Sequence, residues 1–499
     1  MLVHLAALAV ARPDSIAIED GIREVTFAAL YDRACTIGAA LRAAAWPAGA
    51  VGVLLANDAT YVEAMFGCLA AGRACMLLAP NQPAAFLRKV IGAAGLAGVV
   101  SDACHADVLP PCLPWLDTAA IDATAAAPPV MLDAGAPAFI VATSGTTGAP
   151  KAVVSDQGSL LRNFMPRIRL LRVGPQDRVA ASAPPATSAA LAHRLYGLLM
   201  GARLQIIDIP STGLGGALAR YAAGQTTILH ATPAVLTSLA RLPAARRAFA
   251  MLRLVMLGGD AMLRADLAAV RRVLPAGCRV QYALSLSEAA RVTAWFVPPD
   301  DDHDPERVAA GYLVEGVEIQ VLDEEGAPVP PGTPGELVVR SEVAALGDWV
   351  NGRLVPDRFP ADPSHPGRRI YHTGDIVRLC PDGVLVVLGR RDRMIKISGQ
   401  LIQPATIEMA MRALPWVADA AVIPVRVPGM LRLAGFVVHN PAAPSAEDDV
   451  ALLRALRQAL QASLPAAMVP QVLRRIPAIP LTAAGKRDEA ALLASLGSP

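Results

Sequence analysis

An α/β protein built mainly of parallel strands is the fold class this sequence predicts, and three observations predict it. Up to about Pro298, short apolar runs alternate with longer helical patterns. The runs are apolar at consecutive positions, as strands buried on both faces require. Past Pro298 the segments shorten and turn signals crowd in, so a smaller β-rich unit follows the body. A last stretch of about 110 residues is long enough for a small α+β domain.

The elements follow in order. Met1 to Ala11 is apolar but lacks a basic leader, and Arg12-Pro13-Asp14 comes too soon for a signal peptide. A first amphipathic helix ended by Pro13 is expected. Val51 to Ala56 reads as a buried strand, Thr60 to Ala71 as a helix and Ala74 to Ala79 as a strand. The apolar stretch Met65 to Pro80 is broken by Gly67, Gly72 and Arg73, whereas a membrane-spanning helix needs about 20 unbroken residues. No membrane span and a cytoplasmic location are therefore expected. The alternation recurs at Val179 to Ala183, Leu204 to Ile209, Thr226 to Leu229 and Leu252 to Leu257. The Ala/Pro-rich segment Ala119 to Pro129 reads as a loop. From Gly311 to Arg340 the pattern is strand-like, with a hairpin signal at Asp323-Glu324-Glu325-Gly326 and another at Pro381-Asp382-Gly383. After Gly389 a basic stretch leads into helix, strand, strand and helix. The expected division is a body over 1–389, its β-rich part at about 300–389, and a C-terminal domain over 390–499.

Composition narrows the function. Among 499 residues, 54% are hydrophobic and 18% charged, and alanine supplies much of the excess. The mean hydropathy of +0.42 therefore does not by itself argue for a membrane. Lys plus Arg is 45 and Asp plus Glu 43, a balance of +2 that gives no reason to expect nucleic acid or an anionic membrane. The seven cysteines (Cys35, Cys68, Cys75, Cys104, Cys112, Cys278 and Cys380) form no CxxC pair, which disfavours a zinc site and a disulfide framework.

The chemistry concentrates in Phe139-Ile-Val-Ala-Thr-Ser-Gly-Thr-Thr-Gly-Ala-Pro-Lys151. An apolar strand runs into a loop of hydroxyls and glycines that ends in a lysine. Gly145 and Gly148 let backbone N–H groups approach an anion. Thr143, Ser144, Thr146 and Thr147 can donate hydroxyl hydrogen bonds, and Lys151 supplies charge. The loop suits a polyphosphate. It is not a Walker A loop, because Pro150 stands where that pattern wants glycine and Ala152 follows the lysine. A P-loop NTPase is disfavoured on that spacing.

This loop resembles the signature of the adenylate-forming superfamily of acyl- and aryl-CoA synthetases, peptide-synthetase adenylation domains and luciferases. Other segments extend the resemblance over nearly the whole chain, in family order: Gly335-Glu-Leu-Val-Val-Arg340, Tyr371-His-Thr-Gly-Asp375, Gly389 to Gly399, Ile402 to Glu408 and Pro480-Leu-Thr-Ala-Ala-Gly-Lys486. The resemblance implies an α/β body with a β-rich subdomain and a small mobile C-terminal domain, with the active site in the cleft between them. It implies ATP-dependent activation of a carboxylic acid as acyl-AMP, followed by transfer to a thiol.

Site roles follow from the resemblance residue by residue. Asp375 and Arg390 resemble the ribose-contacting pair, Asp392 the hinge, and Lys486 the lysine that meets the carboxylate and α-phosphate. Lys396 and Gly399 belong to the segment that serves the thiol-accepting state. Thr147, Lys151 and Glu288 join Lys486 as catalytic candidates, and Glu288 is the candidate magnesium ligand. Leu284-Ser-Leu-Ser-Glu288 departs from the family's aromatic-Gly-x-Thr-Glu, with Leu284 in place of the aromatic that flanks adenine and Ser285 in place of glycine. Tyr282 is a possible substitute ring, and Ser287 holds the hydroxyl position. His372 reads as a surface residue and His193 as structural.

Ser188, His230, Gly258 and Gly259 are the substrate-pocket candidates, with Ala186 and Leu284 nearby. Ser182 to Ala190 contains no acid to pair with a substrate ammonium, so an α-amino acid is disfavoured and an acyl or aryl acid favoured. Thirteen residues follow Lys486 (499 − 486 = 13), too few for a carrier domain. The acceptor is expected to be free coenzyme A first, and phosphopantetheine on a separate carrier protein second. The alternative from another class is a non-catalytic adenylate-fold protein, suggested by Leu284 and Ser285.

Overall fold

The computed structural model describes residues 1–122, 127–143, 151–391, 395–397, 400–402, 404–427, 430–440, 443, 448–464, 468–482 and 487–496. Among these, the strands form an eight-stranded sheet, a nine-stranded sheet, a four-stranded antiparallel sheet, a three-stranded C-terminal sheet and two short hairpins.

The eight-stranded sheet has a parallel centre of Pro137–Thr143, Cys75–Leu77, Val51–Val53, Gly98–Ser101 and Trp115–Asp117. Lys151–Asp156 adds to it antiparallel, and Gly347–Val350 lies beyond. The nine-stranded sheet carries Arg203–Ile206, Arg178–Ala181, Ile228–Ala231, Leu254–Leu257 and Arg279–Tyr282 in parallel. Strand Thr293–Phe296 closes antiparallel on Tyr282 and Gln281. The central strands Val51–Val53, Cys75–Leu77, Gly98–Ser101 and Leu254–Leu257 are buried throughout because both their faces are covered, whereas the edge strand Trp115–Asp117 is partly exposed.

The largest core lies between the two sheets. It combines Val51, Val53 and Phe139 of one sheet with Val179, Leu204 and Ile228 of the other. Helices Phe27–Ala43, Ala59–Ala70 and Ser188–Leu199 supply Leu30, Phe66 and Leu195 to the same cluster. Each Leu or Phe buried this fully contributes about 1.5–3 kcal/mol. Their helix starts are set by side chains: Asp58 accepts from the N–H groups of Thr60 and Tyr61, and Thr187 from that of Ala190. The first helix, Leu2–Ala11, buries Leu2 and Leu5 in this core. None of the helices among the described residues is long and apolar enough to cross a membrane.

The four-stranded sheet orders Val317–Leu322, Pro334–Ser341, Arg369–Leu379 and Leu385–Arg390. Its turns hold Gly326 and Gly383 at φ of 83° and 88°, a conformation that favours glycine at both expected hairpins. The C-terminal sheet pairs Val417–Val427 with Met430–His439 and adds Val472–Arg475 in parallel. Helices Pro404–Arg412 and Asp449–Ser463 pack Ile407, Met411, Leu456 and Leu460 against it.

Three details differ from expectation. The Val51 strand is shorter than expected: after Val53 it makes one more bond, from the Leu54 N–H to the Val100 carbonyl, before the chain runs on to the Asp58 cap. The strand Val472–Arg475 and the final helix Glu489–Ser495 went unforeseen. That strand ends in two exposed arginines, so it carries little apolar pattern.

Candidate active site

Strands Pro137–Thr143 and Lys151–Asp156 stay paired to a last rung of Thr143 opposite Lys151. The polar loop therefore closes a hairpin at one end of the eight-stranded sheet. Ser144, Gly145, Thr146, Thr147 and Gly148 lie outside the described residues; Thr143 and Lys151 are placed by their backbone.

The second group is built on two paired strands. Asp375 sits directly across from Arg390 in the register of Arg369–Leu379 and Leu385–Arg390. Asp375 is buried, and its Oδ1 accepts from Arg390 Nη1 at 3.1 Å. Arg390 also donates to the Thr373 carbonyl at 3.2 Å. The Thr373 hydroxyl accepts from the Asp375 N–H at 2.9 Å and donates to the Leu337 carbonyl at 2.8 Å. Between them Gly374 has φ 71°, and a Cβ there would lie 3.2 Å from an Arg390 nitrogen. Glycine is needed for both reasons. His372 points outward and is exposed, as its sequence context suggests.

Glu288 forms the third group. Its carbonyl accepts from the Ala345 N–H at 2.8 Å, and the Leu346 N–H donates to Val154, which ties it to the strand that begins at Lys151. Its carboxylate lies 3.9 Å from Arg358 Nη1. Arg358 is itself held by Asp348, at 2.6 Å and 2.5 Å, which raises the guanidinium pKa. Tyr371 stacks on Phe359 at 5.3 Å between ring centroids. Burial raises the Tyr371 phenol, and the negative Glu288 nearby raises it further. Glu288, Tyr371, Asp375 and Arg390 thus share one electrostatic neighbourhood.

No three His, Cys, Asp or Glu side chains among the described residues converge to hold a metal by themselves. A magnesium ion bound through polyphosphate needs only one or two carboxylates. Glu288, largely buried yet not ion-paired at contact distance, fits that requirement.

Next to Glu288 lie the pocket candidates. The hydroxyls of Ser287 and Ser188 meet at 2.8 Å, which joins the start of helix Ser188–Leu199 to the Glu288 hairpin. His230 lies one residue before the end of strand Ile228–Ala231, and its ring centroid is 3.6 Å from that of His193. His230 is partly buried. Gly258 is buried, and Gly259 is exposed at φ 86°. Leu284 is half-buried between two core clusters and Ser285 is exposed. The Tyr282 ring is buried, with its hydroxyl on the Asp260 carbonyl at 2.9 Å. It is committed to packing beneath that loop and does not replace the ring missing at Leu284.

Of the C-terminal candidates, Asp392, Gly399 and Lys486 lie outside the described residues. The frame around Lys486 is nevertheless clear. Leu481 bridges Arg487, and the Asp488 N–H donates to the Pro480 carbonyl, so the chain on either side of 483–486 is paired. Arg487 forms a two-point ion pair with buried Glu408, one arm at 2.8 Å. Glu408 also accepts from the Val422 N–H at 2.8 Å. Arg487 also feels the charge of Asp260, which follows Gly258 and Gly259. Arg487 therefore lies in the electrostatic neighbourhood of the loop that holds Asp260.

Two large sheets, a smaller sheet that carries the Asp375–Arg390 pair near Glu288, and a small C-terminal unit make up the fold of an adenylate-forming enzyme. The chain belongs to the AMP-binding enzyme family: the family pattern covers residues 5–349, and the AMP-binding enzyme C-terminal domain covers 406–486. It is 30% identical over 496 residues to phenyloxazoline synthase MbtB of Mycobacterium tuberculosis, covering 98% of this chain and 34% of that protein. The chain thus spans about a third or less of the length of its curated relatives. Among solved structures it is similar to Klebsiella oxytoca NpsA in complex with 3-hydroxyanthranilyl-AMSN, at TM-score 0.83 and 21% identity, covering 100% and 99% of the two chains. It is also similar to holo-AB3403, a four-domain nonribosomal peptide synthetase bound to AMP and glycine, at TM-score 0.82 and 25% identity, covering 98% of this chain and 36% of that one.

Several residues of this region carry no motif signal. Arg358 and Asp348 lie in segments without pattern, and Glu408 belongs to a motif that does not announce its partner, Arg487. Arg291 did leave a trace: it is a lone charge inside the apolar run Ala289 to Phe296.

Proposed function

We propose that this protein activates a carboxylic acid that lacks an α-ammonium group, forming acyl-AMP and pyrophosphate from ATP, and passes the acyl group to a phosphopantetheine thiol. The observation that carries this reading is the Asp375–Arg390 pair set beside Glu288, next to the polar hairpin between Thr143 and Lys151.

Each residue then has a task. Asp375, fixed by Arg390 and by its own Thr373-bound backbone, accepts hydrogen bonds from the ribose hydroxyls. Leu284 offers an apolar edge to adenine. Thr143, Ser144, Gly145, Thr146, Thr147, Gly148 and Lys151 surround the phosphates, and Ser287 offers a hydroxyl to the nucleotide. Glu288 would hold Mg²⁺, which supplies charge neutralisation between carboxylate and phosphate when bound. Lys486 brings a cation to the reacting carboxylate and α-phosphate. Reorientation about Asp392 exchanges that lysine for the thiol.

An α-ammonium would find no carboxylate at Ser188, whose hydroxyl is engaged with Ser287. Free coenzyme A and a carrier protein present the same thiol on different handles. Similarity to a nonribosomal peptide synthetase favours the carrier, against the order inferred from sequence.

ATP–pyrophosphate exchange across fatty, aryl, β-amino and α-amino acids tests the first half-reaction. Signal with an acyl or aryl acid is expected. Signal with α-amino acids alone would overturn the substrate class, and silence from folded protein with Mg²⁺ would favour a non-catalytic role. Thioester formation with coenzyme A against a holo-carrier protein then decides the acceptor.

A further inference from the structure

Behind Ser188 and Ser287 lies a concentration of positive charge that none of the roles above uses. Arg291 projects from the same hairpin as Glu288 and is 5% exposed. Its Nη1 donates to Gln281 Oε1 at 2.9 Å, and its Nε has no partner. Arg167, on helix Gln157–Leu170, is buried beside it and donates to the Tyr196 hydroxyl and to Asn163. The Tyr196 hydroxyl also reaches Arg291. Next to these stand His193 and His230. Neither ring nitrogen of buried His193 has a hydrogen-bond partner.

Among the described residues, neither Arg167 nor Arg291 has a carboxylate within ion-pair distance; their partners are Gln281, Asn163 and Tyr196. Burial and the neighbouring Arg167 push the Arg291 guanidinium down to about 9. Burial, Arg291 and Arg167 together push the His230 imidazole down to about 3. A buried charge is ordinarily paired, because its desolvation costs several kcal/mol. Here the protein supplies no counter-charge. On the acid-activation reading the reacting carboxylate is engaged at the nucleotide beside Glu288 and Asp375, so the counter-charge here is a second anion.

We infer that the substrate carries a second carboxylate, received by Arg291 in a cationic recess formed with Arg167, Tyr196, His193 and His230. This rests on the acid-activation reading and names the class of acid. The same recess would repel a substrate ammonium, which is a second reason for the exclusion of α-amino acids. Arg291 is then the specificity-determining residue: its one charged guanidinium answers the second anion, with Arg167 held behind it through Tyr196.

The test uses the full chain. Dicarboxylates of four to eight carbons and the three benzenedicarboxylates are each compared with their monomethyl ester in ATP–pyrophosphate exchange. At least one diacid is expected to exceed its ester by tenfold or more in kcat/KM. Arg291→Met is expected to remove at least tenfold of that preference, and Arg291→Lys to restore part of it. A wild type with no diacid preference would overturn the inference, as would an unchanged preference in a folded Arg291→Met protein. If no acid supports exchange, the acid-activation reading fails, and the recess is judged by equilibrium dialysis of the same radiolabelled diacids. Saturable binding lost in Arg291→Met supports it; equal or absent binding in both proteins overturns it.

Discussion

Replacing Asp375 by asparagine keeps the shape of the side chain and removes its charge. Two consequences separate cleanly. The first concerns stability. The Arg390 side chain is 38% exposed, so solvent screens the pair, and its loss costs at most about 1 kcal/mol. The amide oxygen of the Asp375→Asn variant can still accept from Arg390, and the Thr373 bonds do not involve the carboxylate. The second concerns nucleotide. A hydrogen bond to a charged group is worth about 1.5–3 kcal/mol, so the loss of that charge lowers kcat/KM for ATP by about 10- to 150-fold. Pyrophosphate exchange with ATP and with 2′-deoxy-ATP isolates the contact. The wild type discriminates between the two nucleotides, and Asp375→Asn discriminates less. Unchanged discrimination, with both nucleotides slowed alike and a melting temperature several degrees lower, would mean that Asp375 is a turn residue and not a ribose ligand.

Further outcomes are expected. Lys486→Ala abolishes acyl-AMP formation but spares thioester formation from supplied acyl-AMP; equal loss of both half-reactions would remove Lys486 from its assigned step. Leu284→Tyr is tolerated and lowers the Michaelis constant for ATP, whereas a folded but inactive variant would show that this loop does not flank adenine. Glu408→Gln leaves Arg487 without its charged partner and destabilises the C-terminal unit by about 2–4 kcal/mol, read by denaturant unfolding and by limited proteolysis between 404 and 496. His230 faces Arg291 and Arg167, and its folded pKa of about 3 lies below the unfolded value of 6.5. The unfolded chain binds more protons in that interval, so stability falls with falling pH by up to roughly 1.4 kcal/mol per unit, and His230→Asn flattens the slope.

The legible parts of this molecule were those whose physics is local. Buried parallel strands such as Leu254–Leu257 need apolar residues throughout, and the segment between Thr143 and Lys151 stands out by its glycines and hydroxyls. The Asp375 turn shows itself because glycine is required beside it. What escaped notice depends on partners distant in sequence. Glu408 and Arg487 are 79 residues apart, and nothing in either segment predicts their pairing. Arg358 gains its place from Asp348 and from the stacked Phe359 and Tyr371, a tertiary arrangement. His193 reads as a helix residue with a structural fate; only the fold sets its ring against His230 and near Arg291. Leu284 shows the opposite failure: its sequence context suggests Tyr282 as a replacement, but the Tyr282 hydroxyl is engaged on Asp260.

The Glu408–Arg487 clasp sets a rule for recombination. A crossover before Glu408 transfers both partners together into a chimera, and one after Asp488 transfers neither. A junction anywhere between them pairs Glu408 with a foreign residue 487 and loosens the anchor that directly follows Lys486 in sequence. Shuffling within that interval should yield well-expressed but poorly adenylating hybrids unless the acid and the arginine travel as a unit.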